Sequence, residues 1–183
     1  MFLGIFGIAK ASFMPIKAII GQHYLEAAWQ ESLRNNRLSK PWRSADFYMI
    51  GELTVPRLKI SRVILNSVSG EAMAWSIGRV ANFNHALDKQ PIILAGHRDS
   101  HMQFMSELNV GDKIELTMSD GVLKTYIIFG TEVSDKPKVT LPPVSLGRES
   151  LVLTTCWPFY AMKSGDQRYL IFAEHVTEHL VPI

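Results

Sequence analysis

The chain contains a single cysteine, Cys156, and its surroundings favour a chemical role for the thiol. Cys156 ends the apolar, β-branched run 151–155 (LVLTT), and Pro158 prevents the run from continuing as a regular strand. A thiol at the end of a strand, beside a change of chain direction, is accessible to a reaction partner. The alternative is a buried structural cysteine, because free cysteine is among the most buried residue types. The side chains that accompany Cys156 decide between the two.

A nucleophilic cysteine needs a proton donor or acceptor, and a cation or N–H groups where an oxyanion develops. His97 directly follows the apolar run 91–96, which predicts a buried strand. Arg168 opens the last predicted strand. Taken singly, such residues are more typical of an exposed loop histidine and a solvated charge. Together with Cys156 they supply the three functions at predicted strand ends.

Two other kinds of site, a metal centre and a serine hydrolase site, are less favoured. His97 and His101 are four residues apart with Asp99 between them, but Gly96 and Asp99 predict a turn rather than the helix that such spacing requires. No third zinc ligand follows, and one cysteine excludes both an intramolecular disulfide and a Cys-based structural zinc site. A serine hydrolase is not indicated, because the G-x-S-x-G motif is missing. We therefore expect neither a metal nor a cofactor.

Composition is that of an ordinary globular protein, with 47% hydrophobic and 20% charged residues among 183. The net charge is +2, and the lysines and arginines are scattered without interleaved aromatic residues. No nucleic-acid partner is therefore expected. The length suits one well-packed domain with an appendage.

Short apolar runs separated by turn signals predict the elements that position these residues. The predicted strands are 49–55, 59–66, 71–75, 91–96, 113–118, 122–133, 151–156 and 168–176. A helical turn is predicted over 102–108, a hairpin turn over 119–121, and a loop over 137–147, which contains three prolines. About eight short strands with little helix predict a mainly β domain, either a small barrel or a sandwich.

The N-terminal part divides into two predicted segments before a catalytic domain at 46–183. Residues 1–33 are apolar and helical in pattern, although Lys10 and Lys17 interrupt them. We interpret this segment as a membrane anchor or uncleaved signal; the alternative is an amphipathic helix that packs on the domain. Residues 34–45 are polar and contain Pro41, which predicts a linker.

The motifs resemble those of the sortase family. Thr154-Thr155-Cys156 after an apolar run is similar to the T-L-x-T-C signature, and His97 and Arg168 stand where that family has its histidine and arginine. The turn 108–114 (LNVGDKI) is similar to the L-x-x-G-D-x-I element, with Tyr126 in the following strand. This likeness extends from about Asp46 to Val176.

One class within the family is most similar. Residues 95–99 (AGHRD), 155–159 (TCWPF) and the leader through 40–42 (KPW) resemble the class GN sortases of Gram-negative bacteria. Trp157 departs from that pattern, in which tyrosine is more usual.

The resemblance implies a fold, a site and a location. The fold would be a mainly β, eight-stranded closed barrel with short helices, preceded by an N-terminal helix. Cys156, His97 and Arg168 would be catalytic, with Thr155 and Trp157 as weaker candidates for substrate contact. The partners would be a protein with a C-terminal sorting signal, an amine acceptor, and the inner membrane, with the catalytic domain facing the periplasm.

Two alternatives remain open at this point. The first is a cysteine peptidase that releases its substrate to water. The second is a catalytically idle β-barrel that serves as a binding module in the cell envelope. Whether Cys156 and His97 act as an ion pair or as a neutral pair is also open.

Overall fold

Eight strands close into one barrel in a computed structural model that describes residues 20–35, 37–81, 91–135, 149–161 and 165–176. Around the barrel the strand order is β1-β2-β3-β4-β7-β8-β6-β5. The strands are β1 Met49–Val55, β2 Ile60–Leu65, β3 Ile77–Arg79, β4 Ile92–Ala95, β5 Lys113–Met118, β6 Leu123–Ser134, β7 Ser150–Cys156 and β8 Arg168–Val176. The helices are α1 (20–35), α2 (Gly70–Trp75) and the 3₁₀ turns Pro56–Leu58 and Gln103–Glu107. The predicted fold, a closed eight-stranded barrel with short helices and a preceding helix, is confirmed.

The core fills the barrel interior with side chains that alternate along each strand. In β1, buried and half-buried residues alternate along its whole length, as expected for a strand with one face in the core. The neighbouring strands β4, β7 and β8 contribute Leu94, Leu153 and Ile171 to the same interior cluster. Met102 and Met105, from the segment after β4, close the cluster at one end. This packing holds the ends of β4, β7 and β8 in fixed relative positions.

The helix α1 packs against the outside of the barrel. For residues 20–33 this agrees with the alternative to a membrane anchor, an amphipathic helix that packs on the domain. Leu25, Ala28 and Trp29 lie on one face and are buried in a cluster with residues of β1 and β2. Gly21 allows a close approach to α2, because a Cβ there would lie 2.0 Å from the ring of Trp75. The first described residue is 20, so most of the predicted anchor lies outside the described residues. In the described ranges, no helix is both long enough and apolar enough to cross a membrane.

The strand predicted over 71–75 is wrong, because Gly70–Trp75 is the helix α2. Ser69 caps it by accepting a hydrogen bond from the Ala72 amide at 3.1 Å, and Glu71 lies in the first turn, where a negative charge is favourable. Alanine, methionine and glutamate are strong helix formers, and here they outweigh the apolar alternation. The three-residue strand β3 follows directly and was too short to predict.

The segment that resembles L-x-x-G-D-x-I has a structural role. Gly111 has a φ of 94°, a left-handed conformation that favours glycine, and its amide donates to Ile128 O at 2.8 Å. Asp112 accepts from the Asn109 amide at 2.8 Å and receives two hydrogen bonds, each of 2.7 Å, from the Arg57 guanidinium. These contacts tie the turn before β5 to the 3₁₀ turn after β1.

We expect Asp112→Ala to lower the melting temperature by about 2–4 °C at pH 7, as for a loss near 1 kcal/mol in a domain of this size. Its hydrogen bond to Arg57 lowers the pKa of Asp112, so the folded carboxyl has the lower pKa of the two states. The stabilisation that the charged Asp112 carboxylate gives to the fold is therefore complete above its unfolded pKa, about 4. It is lost as the pH falls through the folded pKa. Thermal denaturation of both proteins from pH 7 to pH 2.5 measures the difference.

Asp120→Ala is the matched control. Asp120 also closes a turn, accepting from the Val122 amide at 2.9 Å, but it has no basic partner within the described ranges. An Asp112→Ala deficit that persists unchanged at the lowest pH would contradict the ion-pair explanation.

Candidate active site

The three predicted catalytic residues meet at one end of three adjacent strands. β4 and β7 are parallel, with Ala95 opposite Thr154, and β7 and β8 are antiparallel, with Cys156 opposite Arg168. His97 comes two residues after the end of β4. Continuing the β4–β7 register by two residues brings His97 level with Cys156. The structure thus assembles residues that lie far apart in the sequence.

Strand alternation also puts Cys156 and Arg168 on the same face, because directly opposed residues point to the same side. One residue earlier in β7, Thr155 faces the barrel interior. On the outer face, further along the strands, Ile93, Val152 and Phe172 belong to a third apolar cluster. The thiol therefore lies on the outer surface of the barrel wall, at the end of the strands that carry this apolar cluster.

Exposure distinguishes Cys156 from a buried structural cysteine. The residue is half-buried and its thiol is free. Arg168 is also half-buried, whereas His97 is exposed. All three are open to a substrate, although the strands that carry them are anchored in the core.

Thr155 holds two of the strand ends together. Its hydroxyl donates to Gly96 O at 2.8 Å and the side chain is only 3% exposed. This bond joins the residue before Cys156 to the residue before His97. The position supports a role in alignment rather than the substrate contact expected from the sequence, because the hydroxyl is buried on the interior face.

Only one nitrogen of Arg168 makes hydrogen bonds to residues that the structure describes. Its Nη1 donates to Gly165 O at 3.2 Å and to Gln167 O at 3.0 Å. Within the described ranges, Nε and Nη2 make no hydrogen bond. One edge of the fork is thus held by the loop before β8, and the other edge can bind an oxygen atom.

The sequence-based interpretation missed Arg98. This residue is only 9% exposed, and its Nη2 donates to Ala161 O at 2.7 Å. It therefore joins the turn that carries His97 to the loop that follows Cys156. The only sequence signal was its position directly after His97.

Trp157 belongs to an aromatic cluster next to the thiol. Its ring stacks on Tyr169, with centroids 5.4 Å apart and an interplanar angle of 25°. Phe159 meets the edges of both rings, with centroids 5.4 Å from Trp157 and 5.2 Å from Tyr169. Phe159 and Tyr169 also pack against the barrel core, so the cluster covers the end of the barrel that carries Cys156. Tyr160, 83% exposed, follows on the outside.

His101 is not part of this arrangement. Its Nε2 lies 3.3 Å from Ala74 O, and burial lowers the pKa of the ring. Within the described ranges, no group of three potential metal ligands occurs. The i, i+4 pair His97 and His101 lies across the turn at 98–102 and not on a helix.

The barrel that carries these three residues can be compared with known protein families. Residues 53–176 match the Sortase domain family. This match covers more than half of the chain, which belongs to the sortase family.

Individual relatives agree with this assignment. Sortase D of Bacillus subtilis (strain 168) is 29% identical over 127 residues, which are 69% of this chain and 64% of that protein. The chain thus spans less than two thirds of the length of this relative.

Solved structures show the same fold. Sortase C1 of Streptococcus agalactiae, in complex with MTSET, superposes with a TM-score of 0.59 at 17% identity, over 74% of this chain and 71% of that one. Listeria monocytogenes sortase A gives a TM-score of 0.56 at 19% identity, over 70% and 88% of the two chains.

Because Thr155 aligns the strand ends, we expect Thr155→Val to lower both stability and turnover. Losing the buried hydrogen bond to Gly96 should cost about 1–2 kcal/mol and leave His97 less well placed against Cys156. Thermal denaturation and peptide turnover measure the two effects.

Thr154→Val is a matched control for this change. The Thr154 hydroxyl is buried but has no hydrogen-bond partner among the described residues. Its removal should leave the melting temperature unchanged or higher. Equal destabilisation by the two variants would show that the Gly96 hydrogen bond does not matter.

Proposed function

We propose that this sortase is a cysteine transpeptidase that cleaves a C-terminal sorting signal of a protein and transfers the new carboxyl end to an amine. One observation carries the proposal. Cys156 and Arg168 are directly opposed in the β7–β8 ladder, on one face, and His97 follows the adjacent strand β4 at the same end. This arrangement offers a nucleophile, a fixed cation and a proton-transfer group on one accessible surface.

In the first half-reaction the Cys156 thiolate attacks the carbonyl carbon of the scissile bond, here expected to be Thr–Gly-like. The carbonyl oxygen becomes an oxyanion, and the Nε and Nη2 donors of Arg168 bind it. The C–N bond then breaks, and His97 gives its proton to the leaving amine nitrogen. The product is a thioester between Cys156 and the substrate.

In the second half-reaction an incoming amine attacks the thioester carbonyl carbon. His97 accepts the proton that this amine loses, and Arg168 again binds the oxyanion. The C–S bond breaks, which restores the Cys156 thiolate and leaves a new amide bond. One histidine thus serves both half-reactions, and the amine acceptor is the only reactant besides the substrate protein.

The position of the aromatic cluster supports a role in substrate contact. Trp157 follows Cys156 directly and its side chain is half-buried. Its stacking on Tyr169 keeps the ring rigid, so it can form a wall beside the acyl part of the substrate. Thr155, in contrast, acts as a positioning residue through its bond to Gly96.

We also assign the protein to class GN and to the cell envelope. The motifs at 95–99 and 155–159 support the class, and the apolar residues that precede α1 in the segment 1–33 support an inner-membrane anchor with the barrel facing the periplasm. Separating membranes from the soluble fraction, followed by protease treatment of spheroplasts, tests this location. An intact chain in the soluble cytosolic fraction would contradict it.

Product analysis tests the activity. The protein is incubated with a peptide library that contains a Thr–Gly bond at a constant position, with and without hydroxylamine. A transpeptidase should show a thioester adduct on the intact protein by mass spectrometry, and the hydroxylamine should yield the peptide hydroxamate in place of the free acid.

The same experiment separates the alternatives. A free acid formed equally in both conditions would indicate a cysteine peptidase. Absence of an adduct, together with a thiol that iodoacetamide does not alkylate at neutral pH, would indicate an idle binding module.

A further inference from the structure

A second feature of the barrel lies at the end opposite Cys156. There the structure has a cavity of about 340 Å³. Ile92 at the start of β4 and Glu149 just before β7 line it, whereas Cys156 ends β7. The cavity is therefore separated from the catalytic end by the length of these strands and has no part in the proposed reaction.

The cavity combines an apolar floor with a charged rim. Ile92, Leu116 and Met118 contribute apolar surface, and the rim contains Arg79, Lys124 and Glu149. The rim reaches solvent, since the side chains of Lys124 and Glu149 are 33% and 34% exposed. Leu116, by contrast, is fully buried. A molecule with one charged end and one apolar end matches this gradient.

Two of the three rim charges are already paired. Lys124 forms an ion pair with Glu149, and the Tyr126 hydroxyl donates to the same carboxylate at 3.4 Å. The hydrogen bond from Lys124 holds the pKa of Glu149 below its usual range, so the carboxylate is charged at neutral pH. The negative charge of Glu149 is therefore balanced by Lys124.

Arg79 is the third charged residue of the rim. It is half-buried at the end of β3 and lines the cavity. Within the described ranges it makes no hydrogen bond or ion pair. A partly buried guanidinium with five donors favours a planar, bidentate anion such as a carboxylate.

We propose that this cavity is a binding site for a small organic monocarboxylate with an apolar tail. The carboxylate pairs with Arg79, and the tail lies against Ile92, Leu116 and Met118. A single negative charge suits the site, because Arg79 has no ion-pair partner among the described residues and Glu149 repels a second negative charge. The volume is at the lower end of the range for small-molecule sites, about 300–1,000 Å³, which favours a short tail.

Methyl NMR of ¹³C-methionine-labelled protein tests the proposal with hexanoate as the probe. We expect hexanoate to shift the Met118 methyl signal in a saturable way and to leave Met102 unchanged, because Met102 lies at the catalytic end. Met118→Leu assigns the signal. Hexanamide, the neutral analogue, should cause no saturable shift, and inorganic phosphate should not replace hexanoate.

Variants at Arg79 give the decisive comparison. Arg79→Gln should weaken hexanoate binding by about tenfold or more, as for a lost charge-assisted hydrogen bond, and Arg79→Lys should be intermediate. Alkylation of Cys156 and the melting temperature, unchanged in both variants, show that the fold and catalytic end are intact. N-acetyl-leucine represents the C-terminal carboxylate of a peptide, and hexanoate represents a fatty acid. The probe that binds more tightly shows which of the two sources the site recognises.

Other outcomes overturn the assignment. Equal binding of hexanamide, or unchanged hexanoate affinity in Arg79→Gln, would show that Arg79 does not recognise a carboxylate. A failure of both hexanoate and N-acetyl-leucine to move the Met118 signal at millimolar concentration would remove the site.

Discussion

Replacement of Cys156 by alanine is expected to reduce transpeptidation by about 10⁴-fold or more, to the detection limit of the assay. The thiolate is the atom that forms the covalent bond to the substrate, and no other cysteine exists in the chain to replace it. The thioester adduct should vanish from the intact-mass spectrum at the same time. Peptide cleavage followed by liquid chromatography measures the loss.

The fold should survive this change. Cys156 is half-buried at the end of β7, so the variant loses little buried volume, and we expect a melting temperature within about 2 °C of the parent protein. Cleavage that persists undiminished in Cys156→Ala would refute the covalent mechanism. Loss of cleavage together with loss of folded structure would not support it either, so far-UV circular dichroism accompanies each assay.

Arg168→Lys should lower kcat by about 10²–10³-fold, the usual effect of removing an oxyanion-stabilising donor. Lysine keeps the charge but not the planar fork. In the structure Nη1 is held by Gly165 O and Gln167 O, and this anchoring directs the other edge of the guanidinium. An ammonium group cannot make both sets of contacts at once. Steady-state kinetics should therefore show the loss mainly in kcat, with a smaller change in KM.

Arg57→Lys is the matched control. Arg57 is also a fork-shaped donor, bonded to both oxygens of Asp112, but it lies in the turn after β1. We expect its replacement to leave kcat close to that of the parent protein. Near-normal turnover in Arg168→Lys would remove Arg168 from the oxyanion role and leave it as a structural residue.

Much of the barrel could be read from apolar alternation. The predicted bounds of β1, β5 and β8 agree with the structure, because each strand has one face in the core. The pattern failed at 70–79, where helix α2 and strand β3 follow each other without a turn signal. Short elements there depend on Ser69 as a cap and on pairing with β2 and β4, neither of which a local pattern shows.

Part of the candidate site could also be predicted from the sequence. Cys156, His97 and Arg168 stood at predicted strand ends and matched family motifs. Arg98 and the function of Thr155 could not be found in this way, since their partners Ala161 and Gly96 lie in distant parts of the chain. The cavity beside Arg79 has no sequence signal at all, because its walls come from four different strands and one loop residue.

The amino-acid sequence was enough to identify the reactive groups: a thiol and a histidine that end or follow short apolar runs, and an arginine that opens another, in an order that matches a family. Their relative positions depend on the tertiary structure. Parallel pairing of β4 with β7 and antiparallel pairing of β7 with β8 set Cys156 opposite Arg168, on the outer face, with His97 level beside them. The physical reason is that strand register and facing depend on hydrogen bonds between segments far apart in the chain, which residue types alone do not specify.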